Sequence, residues 1–299
     1  TSSSDDTPVT RFAPSPTGLL HLGHAYSALF AWRIADSAGG QFLLRIEDID
    51  QGRCRPEFED AIIEDLTWLG ITWKEPVWRQ SERMDAYADP LAKLDEMRLL
   101  YPCFCTRKDI AAEIERSGAA PHLTEPGPDG QIYPGICRPL DAETRAARIA
   151  DGEPYALRLN MAAATARAGA LVWHDRTQGA QTATPEIFGD VVLARKDIGT
   201  SSHLAVTVDD AAQDVSLVTR GTDLFAATHI HRLLQALLGL EVPEWHHTPL
   251  LTNNEGVRLA KRDRALTLRA MREAENDPEA VWAMALRQIA RGAGLGGAL

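Results

Sequence analysis

The sequence lacks three features that would each point to a particular class of protein. No apolar run approaches the roughly 20 residues that a helix needs to cross a bilayer. The polar, acidic residues 1–6 do not resemble a signal peptide. The four cysteines are too few for the disulfide framework of a secreted domain. We therefore expect a cytoplasmic protein that makes no contact with a membrane.

Positive charge is also scarce. Lysine and arginine total 31 residues against 42 aspartates and glutamates, which gives a formal net charge of −11. This excess argues against a protein whose whole surface binds nucleic acid, but it is compatible with a local basic face. Arginines concentrate near the C-terminus, where they form either such a face or ordinary solvated helix surfaces: Arg258, Arg262, Arg264, Arg269, Arg272, Arg287 and Arg291.

The length and composition are those of an ordinary globular protein. Hydrophobic residues make up 44% of the chain and charged residues 24%, which are typical values. A length of 299 residues predicts either two domains or one large domain with an insertion.

Residues 11–24, with the sequence RFAPSPTGLLHLGH, are the most informative stretch. They predict a strand that ends at Ala13, a turn rich in proline and glycine, and a helix that begins near Gly23. The start of such a helix directs backbone N–H groups and a positive dipole end at one point, which suits a phosphate. His21 and His24 are spaced so that both imidazoles can donate to that point. Two histidines at a helix start can equally be capping or core groups.

Three apolar stretches end in charged residues, as parallel strands do beside a ligand site. The first, residues 41–47, ends at Glu47. We expect a second strand at residues 204–210, ending in two aspartates, and a third at residues 215–220, ending at Arg220. A carboxylate in this position can instead cap the next helix, and an arginine can serve only as an ion-pair partner.

Three of the four cysteines fall in two short clusters. Cys103 and Cys105 precede a loop rich in proline and glycine, and Cys137 follows it. Three thiolates fit one closed tetrahedral zinc site of the structural kind, with either Tyr133 or His122 as the fourth ligand. The alternative is that these cysteines are small buried hydrophobic residues.

Residues 14–24 resemble the HIGH signature of class I aminoacyl-tRNA synthetases. The octet RFAPSPTG at residues 11–18 narrows the resemblance to the glutamyl and glutaminyl branch, whereas HxGH alone also occurs in other nucleotidyltransferases. Residues 257–262, VRLAKR, resemble the mobile KMSKS loop of the same family. The resemblance implies an α/β fold with a Rossmann-like parallel sheet, an inserted zinc-stapled subdomain and a short C-terminal helical part, without an anticodon-binding domain.

The same resemblance implies ATP as a substrate, accompanied by Mg²⁺. The residues implied in catalysis are His21, His24 and Lys261, which would offset charge developing on the phosphates. These three, together with Pro14 and Gly23, are also the implied contacts of ATP.

The second implied substrate is L-glutamate. Glu47 would receive its α-ammonium group, and the guanidinium groups of Arg11 and Arg220 its side-chain carboxylate. Ser202 stands where relatives usually carry a tyrosine that contacts the amino acid, which is a departure from the family pattern. The implied glutamate contacts are Arg11, Ala13, Ser15, Glu47, Ser202 and Arg220.

The resemblance covers essentially the whole chain, and it is to a shortened branch of the glutamyl-tRNA synthetases. In that branch a Cys-x-Cys pair, a tyrosine and a further cysteine bind zinc, which implies Cys103, Cys105, Tyr133 and Cys137 as ligands here. The branch transfers glutamate to queuosine in the anticodon loop of tRNA(Asp), so tRNA(Asp) is the implied partner. We expect the protein to act as a monomer.

These considerations divide the chain into four parts. Residues 1–100 and 189–250 are expected to form the two halves of the catalytic domain, residues 101–188 the insertion, and residues 251–299 the KMSKS-like loop with terminal helices. Two alternatives remain open from the sequence: an enzyme that charges another tRNA, and a catalytically silent RNA-binding relative.

Overall fold

The structure, a computed structural model, describes residues 7–116, 126–195, 197–250 and 267–292. No helix within these ranges combines the length and apolar character needed to cross a membrane. The strands are β1 (Val9–Phe12), β2 (Gln41–Ile46), β3 (Lys74–Arg79), β4 (Leu100–Cys103), β5 (Ala156–Leu159), β6 (Val172–Asp175), β7 (Gly179–Thr182), β8 (Val192–Arg195), β9 (Leu217–Gly221) and β10 (Glu244–Thr248).

Helices and short 3₁₀ turns connect these strands. The α-helices are α1 (Leu22–Ser37), α2 (Pro56–Trp68), α3 (Met84–Glu96), α4 (Arg107–Arg116), α5 (Ala142–Ala150), α6 (Met161–Ala168), α7 (Ser202–Ala212), α8 (Ala227–Leu238), α9 (Leu268–Glu273) and α10 (Pro278–Gly292).

Parallel strands form the centre of the molecule. Strands β1, β2 and β3 pair in parallel, and β9 pairs in parallel with β10. The two groups meet where the Ser216 N–H donates to the Val9 carbonyl over 3.1 Å, so β9 lies beside β1. The resulting strand order is β3-β2-β1-β9-β10. From β1 the chain adds β2 and β3 on one side, and it later adds β9 and β10 on the other side, so the order of addition reverses between β1 and β9. Open α/β sheets bind ligands beside such a point. The expected Rossmann-like sheet is confirmed.

Helix α1 follows β1 and helix α8 follows β9, and each of the two helices ends close to a glycine. Helix α1 stops before the Gly39–Gly40 pair, and Gly39 has a φ of +65°. Helix α8 ends at Gly239 in the left-handed conformation, which glycine adopts without strain. Both helices begin at the same edge of the sheet, where β1 and β9 end.

The insertion has its own antiparallel sheet, in the order β4-β5-β8. Strand β8 lies in residues 189–250, which were expected in the catalytic domain, but it pairs with β5. Strand β6 was expected in the insertion, but it joins β10 in parallel and β7 in antiparallel. Short strands of this kind carry no sequence signal that identifies their partners, because pairing depends on residues far along the chain. The domain boundaries remain predictions.

The strand expected at residues 204–210 is wrong: this segment lies in helix α7. Its β-branched residues favour a strand, and burial on nearly every side removes the helical periodicity by which a helix is recognised. Ser201 caps the helix, because its side chain accepts the Leu204 N–H. Packing therefore overrides local propensity, and the two terminal aspartates, Asp209 and Asp210, are buried in the last turn.

The chain returns to the first helix near its C-terminus. The Leu268 N–H donates to the Leu20 carbonyl over 2.9 Å, and Thr267 forms a β-bridge with His21. Buried Val281 and Ala285 of α10 belong to the same hydrophobic core as α1. Two segments of the chain that are about 250 residues apart therefore meet at the start of α1.

Helix α9 packs on α2 around an incompletely compensated buried carboxylate. Asp65 is fully buried, and neither of its oxygens accepts a hydrogen bond from the described residues. The nearest cationic atom, Nη2 of Arg272, lies 3.5 Å from Oδ1. Burial raises the pKa of Asp65 from 3.8 to about 6, although Arg272 opposes this shift.

We predict that Asp65→Asn stabilises the protein above pH 6. A raised carboxyl pKa contributes stability that is complete below about pH 4 and is lost as the pH rises through about 6. Thermal unfolding between pH 4 and 8 should therefore show a gain in Tm of several degrees for the variant at pH 7–8 and little gain near pH 4. Asp60→Asn, at an exposed position of the same helix, is the control. Equal Tm values for Asp65→Asn and the unchanged protein at pH 8 would contradict this prediction.

Candidate active site

The carboxyl ends of β1, β2, β9 and β10 open into one cavity of about 1070 Å³. Every predicted contact of ATP or glutamate that lies within the described residues lines it, whereas Lys261 lies outside those residues. The predicted residues on the cavity wall are Arg11, Ala13, Pro14, Ser15, His21, Gly23, His24, Glu47, Ser202 and Arg220. Sequence motifs that are far apart in the chain are thus brought to one place.

His21 and His24 cap the helix that they introduce. His21 is the N-cap of α1, and its Nδ1 accepts the Gly23 N–H over 3.1 Å. In return, Nδ1 of His24 accepts the His21 N–H over 3.2 Å. The two rings lie with their centroids 3.9 Å apart. Because each Nδ1 is an acceptor, the neutral form of each ring carries its proton on Nε2. Each histidine can therefore cap the helix through Nδ1 and donate to a ligand through Nε2.

Gly23 leaves space for the ring of His21. A Cβ atom at this position would lie 3.0 Å from Cε1 and 3.2 Å from Nδ1 of His21. Contacts this short would require the ring to shift by a few tenths of an ångström. The absence of a side chain therefore gives the His21 ring room in the position from which it caps the helix.

A buried carboxylate joins the first two strands behind the cavity. Oδ1 of Asp210 accepts from Nε of Arg11 over 2.9 Å and from Nη2 of Arg45 over 2.7 Å. Oδ2 accepts a second bond from Arg11 over 3.3 Å. Burial opposes ionisation of Asp210, but the two guanidinium groups hold its pKa below the ordinary value. Arg11 is therefore largely compensated by a protein carboxylate.

Glu47 has weaker compensation. Its Oε1 lies 3.4 Å from Nη2 of Arg45, and its side chain is 19% exposed. Burial raises its pKa, while the charges of Arg45 and Arg11 act in the opposite direction. A cation supplied by a ligand would favour the ionised form of this carboxylate.

Arg220 is buried among neutral partners. Its Nε donates to Nε2 of His247 over 3.2 Å, its Nη2 to Oγ1 of Thr228 over 2.6 Å, and its Nη1 lies 3.3 Å from Nδ1 of His231. Within the part of the chain that the structure describes, no carboxylate forms an ion pair with Arg220. Burial and the charge of Arg11 lower its pKa to about 9. An anion on the cavity side would relieve this imbalance.

His247 connects Arg220 to a second buried carboxylate. Its Nδ1 lies 2.6 Å from Oδ2 of Asp175, and both side chains are fully buried. Burial and the neighbouring Arg220 lower the pKa of His247 to about 4. Burial alone would raise the pKa of Asp175, but hydrogen bonds from Thr177 and His247 lower it to about 2. The pair is a neutral histidine that donates to a carboxylate.

Sequence reasoning missed a second set of groups around Arg220. Nε2 of His231 lies 3.3 Å from Nδ1 of His203, and Nε2 of His203 lies 2.9 Å from Oδ2 of Asp129. All three side chains line the cavity. No spacing rule detects this set, because its members come from a loop of the insertion and from two helices. The neighbouring Ser202 is exposed on the cavity wall, in the first turn of α7.

The three clustered cysteines converge in the insertion. The Sγ atoms of Cys103, Cys105 and Cys137 lie within 4.8 Å of one another. The Tyr133 hydroxyl is 3.6 Å from Sγ of Cys105 and accepts the Cys137 N–H over 2.7 Å. Thiolates on one tetrahedral zinc lie about 3.8 Å apart, given Zn–S bonds of about 2.3 Å. The donor set therefore fits a metal ion, and His122 lies outside the described residues.

The loop that resembles KMSKS also lies outside the described residues, but both of its flanks are described. Leu250, the last described residue before the loop, lines the cavity. Thr267, the first described residue after it, pairs with His21. Arg272, from the predicted basic face, is engaged by Glu64 and Asp65.

Comparison with known proteins defines the family. Residues 8–293 match the family model described as tRNA synthetases class I (E and Q), catalytic domain. The chain belongs to this family, whose members are ligases that use ATP with Mg²⁺. The expected resemblance is therefore confirmed.

Curated relatives narrow the comparison. A Glutamyl-Q tRNA(Asp) synthetase of Rhodobacter capsulatus is 49% identical over 265 residues, covering 87% of this chain and 93% of the relative. One of Symbiobacterium thermophilum is 44% identical, covering 91% and 83%. A glutamate–tRNA ligase of Aquifex aeolicus is 38% identical, but the match covers only 55% of that protein.

Solved structures agree with this comparison. A glutamate tRNA ligase from Elizabethkingia meningosepticum, crystallised in complex with its amino acid, superposes with a TM-score of 0.72 at 29% identity. The match covers 86% of this chain and 52% of that one. The similarity therefore extends over the catalytic part of a longer enzyme.

We predict that Gly23→Ala weakens ATP binding without unfolding the protein. Alanine suits a helix better than glycine, but its Cβ would lie 3.0 Å from the His21 ring and would push that ring out of its present position by a few tenths of an ångström. Calorimetric titration with ATP should show an affinity about 10-fold lower or more, with Tm maintained. Gly18→Ala is the matched control, since a Cβ there meets nothing within 4 Å. Unchanged affinity in Gly23→Ala would contradict the assigned role of the ring.

Proposed function

We propose that this protein activates L-glutamate with ATP and transfers it to queuosine in the anticodon loop of tRNA(Asp). In the first step an α-carboxylate oxygen of glutamate attacks the α-phosphorus of ATP. The bond to pyrophosphate breaks and glutamyl-adenylate forms. In the second step a queuosine hydroxyl attacks the glutamyl carbonyl carbon, loses its proton, and AMP leaves.

The observation that carries the first step is the uneven charge compensation of the cavity wall. Glu47 has a raised pKa, and Arg220 is a buried guanidinium that pairs with no carboxylate among the described residues. An amino acid with an acidic side chain supplies both missing charges: its ammonium group for Glu47 and its side-chain carboxylate for Arg220. The fork geometry of a guanidinium favours a carboxylate over a neutral amide.

His21 and His24 are suited to the phosphates of ATP. Both sit at the N-terminus of α1, where the helix dipole favours an anion, and the neutral form of each carries its ring proton on Nε2. Lys261 would act with them, because Leu250 before its segment lines the cavity and Thr267 after it pairs with His21. The chemistry needs no protein nucleophile, so these groups act by positioning and charge stabilisation. Removing one such donor typically costs about 3–4 kcal/mol of transition-state stabilisation.

The acceptor is inferred from the relatives. The relatives that are 49% and 44% identical are named Glutamyl-Q tRNA(Asp) synthetase, whereas the glutamate–tRNA ligase of Aquifex aeolicus is 38% identical. Single-stranded loops of RNA are recognised by stacking and basic grooves. Because the proposed substrates are ATP, glutamate and a tRNA, we expect the protein to act in the cytoplasm, and we expect it to act as a monomer.

Transfer of labelled glutamate tests the function. We predict that purified tRNA(Asp) containing queuosine is labelled in the presence of ATP, whereas the same tRNA without queuosine is not. Pyrophosphate exchange into ATP should depend on glutamate in the absence of any tRNA. The Arg220→Leu protein should lose about 10²-fold or more of its kcat/KM for glutamate, because a buried donor set for the carboxylate is removed.

Two outcomes would overturn the proposal in different ways. Labelling of tRNA(Glu) alone, or equal labelling of tRNA(Asp) with and without queuosine, would indicate an enzyme that charges another acceptor. Absence of exchange at saturating glutamate would indicate a catalytically silent relative.

We also propose that Cys103, Cys105, Tyr133 and Cys137 hold one structural zinc ion. Burial and the neighbouring thiols raise the pKa of Cys105 to about 12, so a bound cation is needed to stabilise its thiolate. Zinc would cross-link β4 to the segment around Tyr133 and so stabilise the insertion.

Metal analysis tests this site. We predict about one zinc per chain in the unchanged protein and far less than half of that in Cys105→Ala, since a closed site needs all of its ligands. Cys54→Ala, which removes a cysteine outside the cluster, should retain the metal. Full zinc content in Cys105→Ala would rule out the proposed ligand set.

A further inference from the structure

Arg220 is held from two directions by hydrogen-bond chains that each end in a carboxylate. One chain runs through His247 to Asp175. The other runs through His231 and His203 to Asp129. Asp175 belongs to β6, whereas Asp129 lies in the turn between Gly127 and Gly130 of the insertion.

The direction of each hydrogen bond follows from the groups at the ends of the chains. Arginine can only donate and an ionised carboxylate can only accept. Nδ1 of His231 therefore accepts from Arg220, so its Nε2–H donates to Nδ1 of His203. The Nε2–H of His203 then donates to Asp129. Every link is satisfied when both histidines are neutral.

The environment keeps His231 neutral. Its side chain is buried, and burial together with the charge of Arg220 holds its pKa well below the ordinary value. A proton on Nδ1 of His231 would face Nη1 of Arg220 at 3.3 Å. Two donors would then oppose each other at that contact.

The contacts around Arg220 engage some of its donors and leave others for a ligand. Of its five N–H groups, three are taken by His247, His231 and Thr228, and the remaining two have no partner among the described residues. The ring nitrogens nearest to Arg220 are occupied by its own N–H groups. Among the described residues, no histidine nitrogen that contacts Arg220 is left to accept a hydrogen bond from the NH₂ group of a carboxamide. A carboxylate has no N–H group and needs no such acceptor.

We infer that Asp129, His203 and His231 form a positioning chain that fixes the orientation of the Arg220 guanidinium, and that this makes the site select a side-chain carboxylate over a carboxamide. This inference rests on the proposed binding of glutamate at Arg220. It assigns a role in specificity to three residues that no motif contains. It also extends the amino-acid site into the insertion, through Asp129.

The test compares His231→Leu, His231→Gln and His203→Leu with the unchanged protein in glutamate-dependent pyrophosphate exchange. Leucine fills the space without accepting a bond, so Arg220 loses one restraint. Glutamine can accept from Arg220 through its oxygen and donate to His203 through its nitrogen. Exposed His174, which pairs with Glu244 outside the cavity, supplies the control His174→Leu.

We expect His231→Leu to raise KM for glutamate about 10-fold or more, as expected for loss of a hydrogen bond to a charged group. The KM for ATP should be unchanged, and the preference for glutamate over glutamine should fall by a similar factor. For His231→Gln we expect the KM for glutamate and the preference for glutamate over glutamine to stay within about threefold of the values of the unchanged protein. The reason is that glutamine keeps the direction of the hydrogen bonds between Arg220 and His203. His203→Leu should show a smaller rise, since it acts one bond further away.

The outcomes separate this inference from the proposed function. If the unchanged protein supports no glutamate-dependent exchange, the proposed function itself fails. If it is active and His231→Leu and His203→Leu both keep its KM for glutamate and its selectivity, the positioning chain is refuted. If either leucine variant does not fold, the other decides. A lowered Tm with unchanged KM likewise refutes the inference, because it indicates a structural role alone.

Discussion

The structure depends on one buried carboxylate, Asp210, and the two arginines that share it. Arg11 comes from β1, Arg45 from β2 and Asp210 from the last turn of α7, so three elements that are distant in sequence are joined at one point. Removing one partner of a buried charge pair typically costs about 3–5 kcal/mol, because the remaining charge is left uncompensated. The same contacts place Glu47 at the end of β2, where it faces the cavity.

The proposed binding of glutamate follows from the charges that this cluster does not neutralise. Asp210 has two cationic partners and a lowered pKa, so its charge is compensated without a ligand. Arg220 and Glu47 are each compensated incompletely, one as a buried cation among neutral groups and the other as a carboxylate with a raised pKa. The charges of such a site are fully compensated only when a ligand with complementary charges binds. That requirement connects the fold to an acidic amino acid more directly than any single motif does.

Local signals predicted the parts of the site that lie within short segments. The strand, turn and helix over residues 11–24 could be predicted from the local sequence alone, because capping and turn formation depend on neighbouring residues. The rule that parallel strands collect ligand groups at their carboxyl ends correctly brought Glu47 and Arg220 together. The helix at Ser202–Ala212 was mistaken for a strand, because its buried surroundings removed the periodicity that distinguishes the two. The partners of β6 and β8, and the chain from Asp129 to His231, depend on tertiary contacts that no sequence spacing encodes.

A crystal structure with L-glutamate and a non-hydrolysable ATP analogue would show whether Arg220 and Glu47 bind an acidic amino acid. We expect the glutamate side-chain carboxylate within about 3 Å of the Arg220 guanidinium and the α-ammonium at Glu47, as charge-assisted hydrogen bonds require. We also expect the phosphates beside His21 and His24. Glutamate bound with its α-carboxylate on Arg220, or phosphates in a cavity that His21 does not reach, would contradict this expectation.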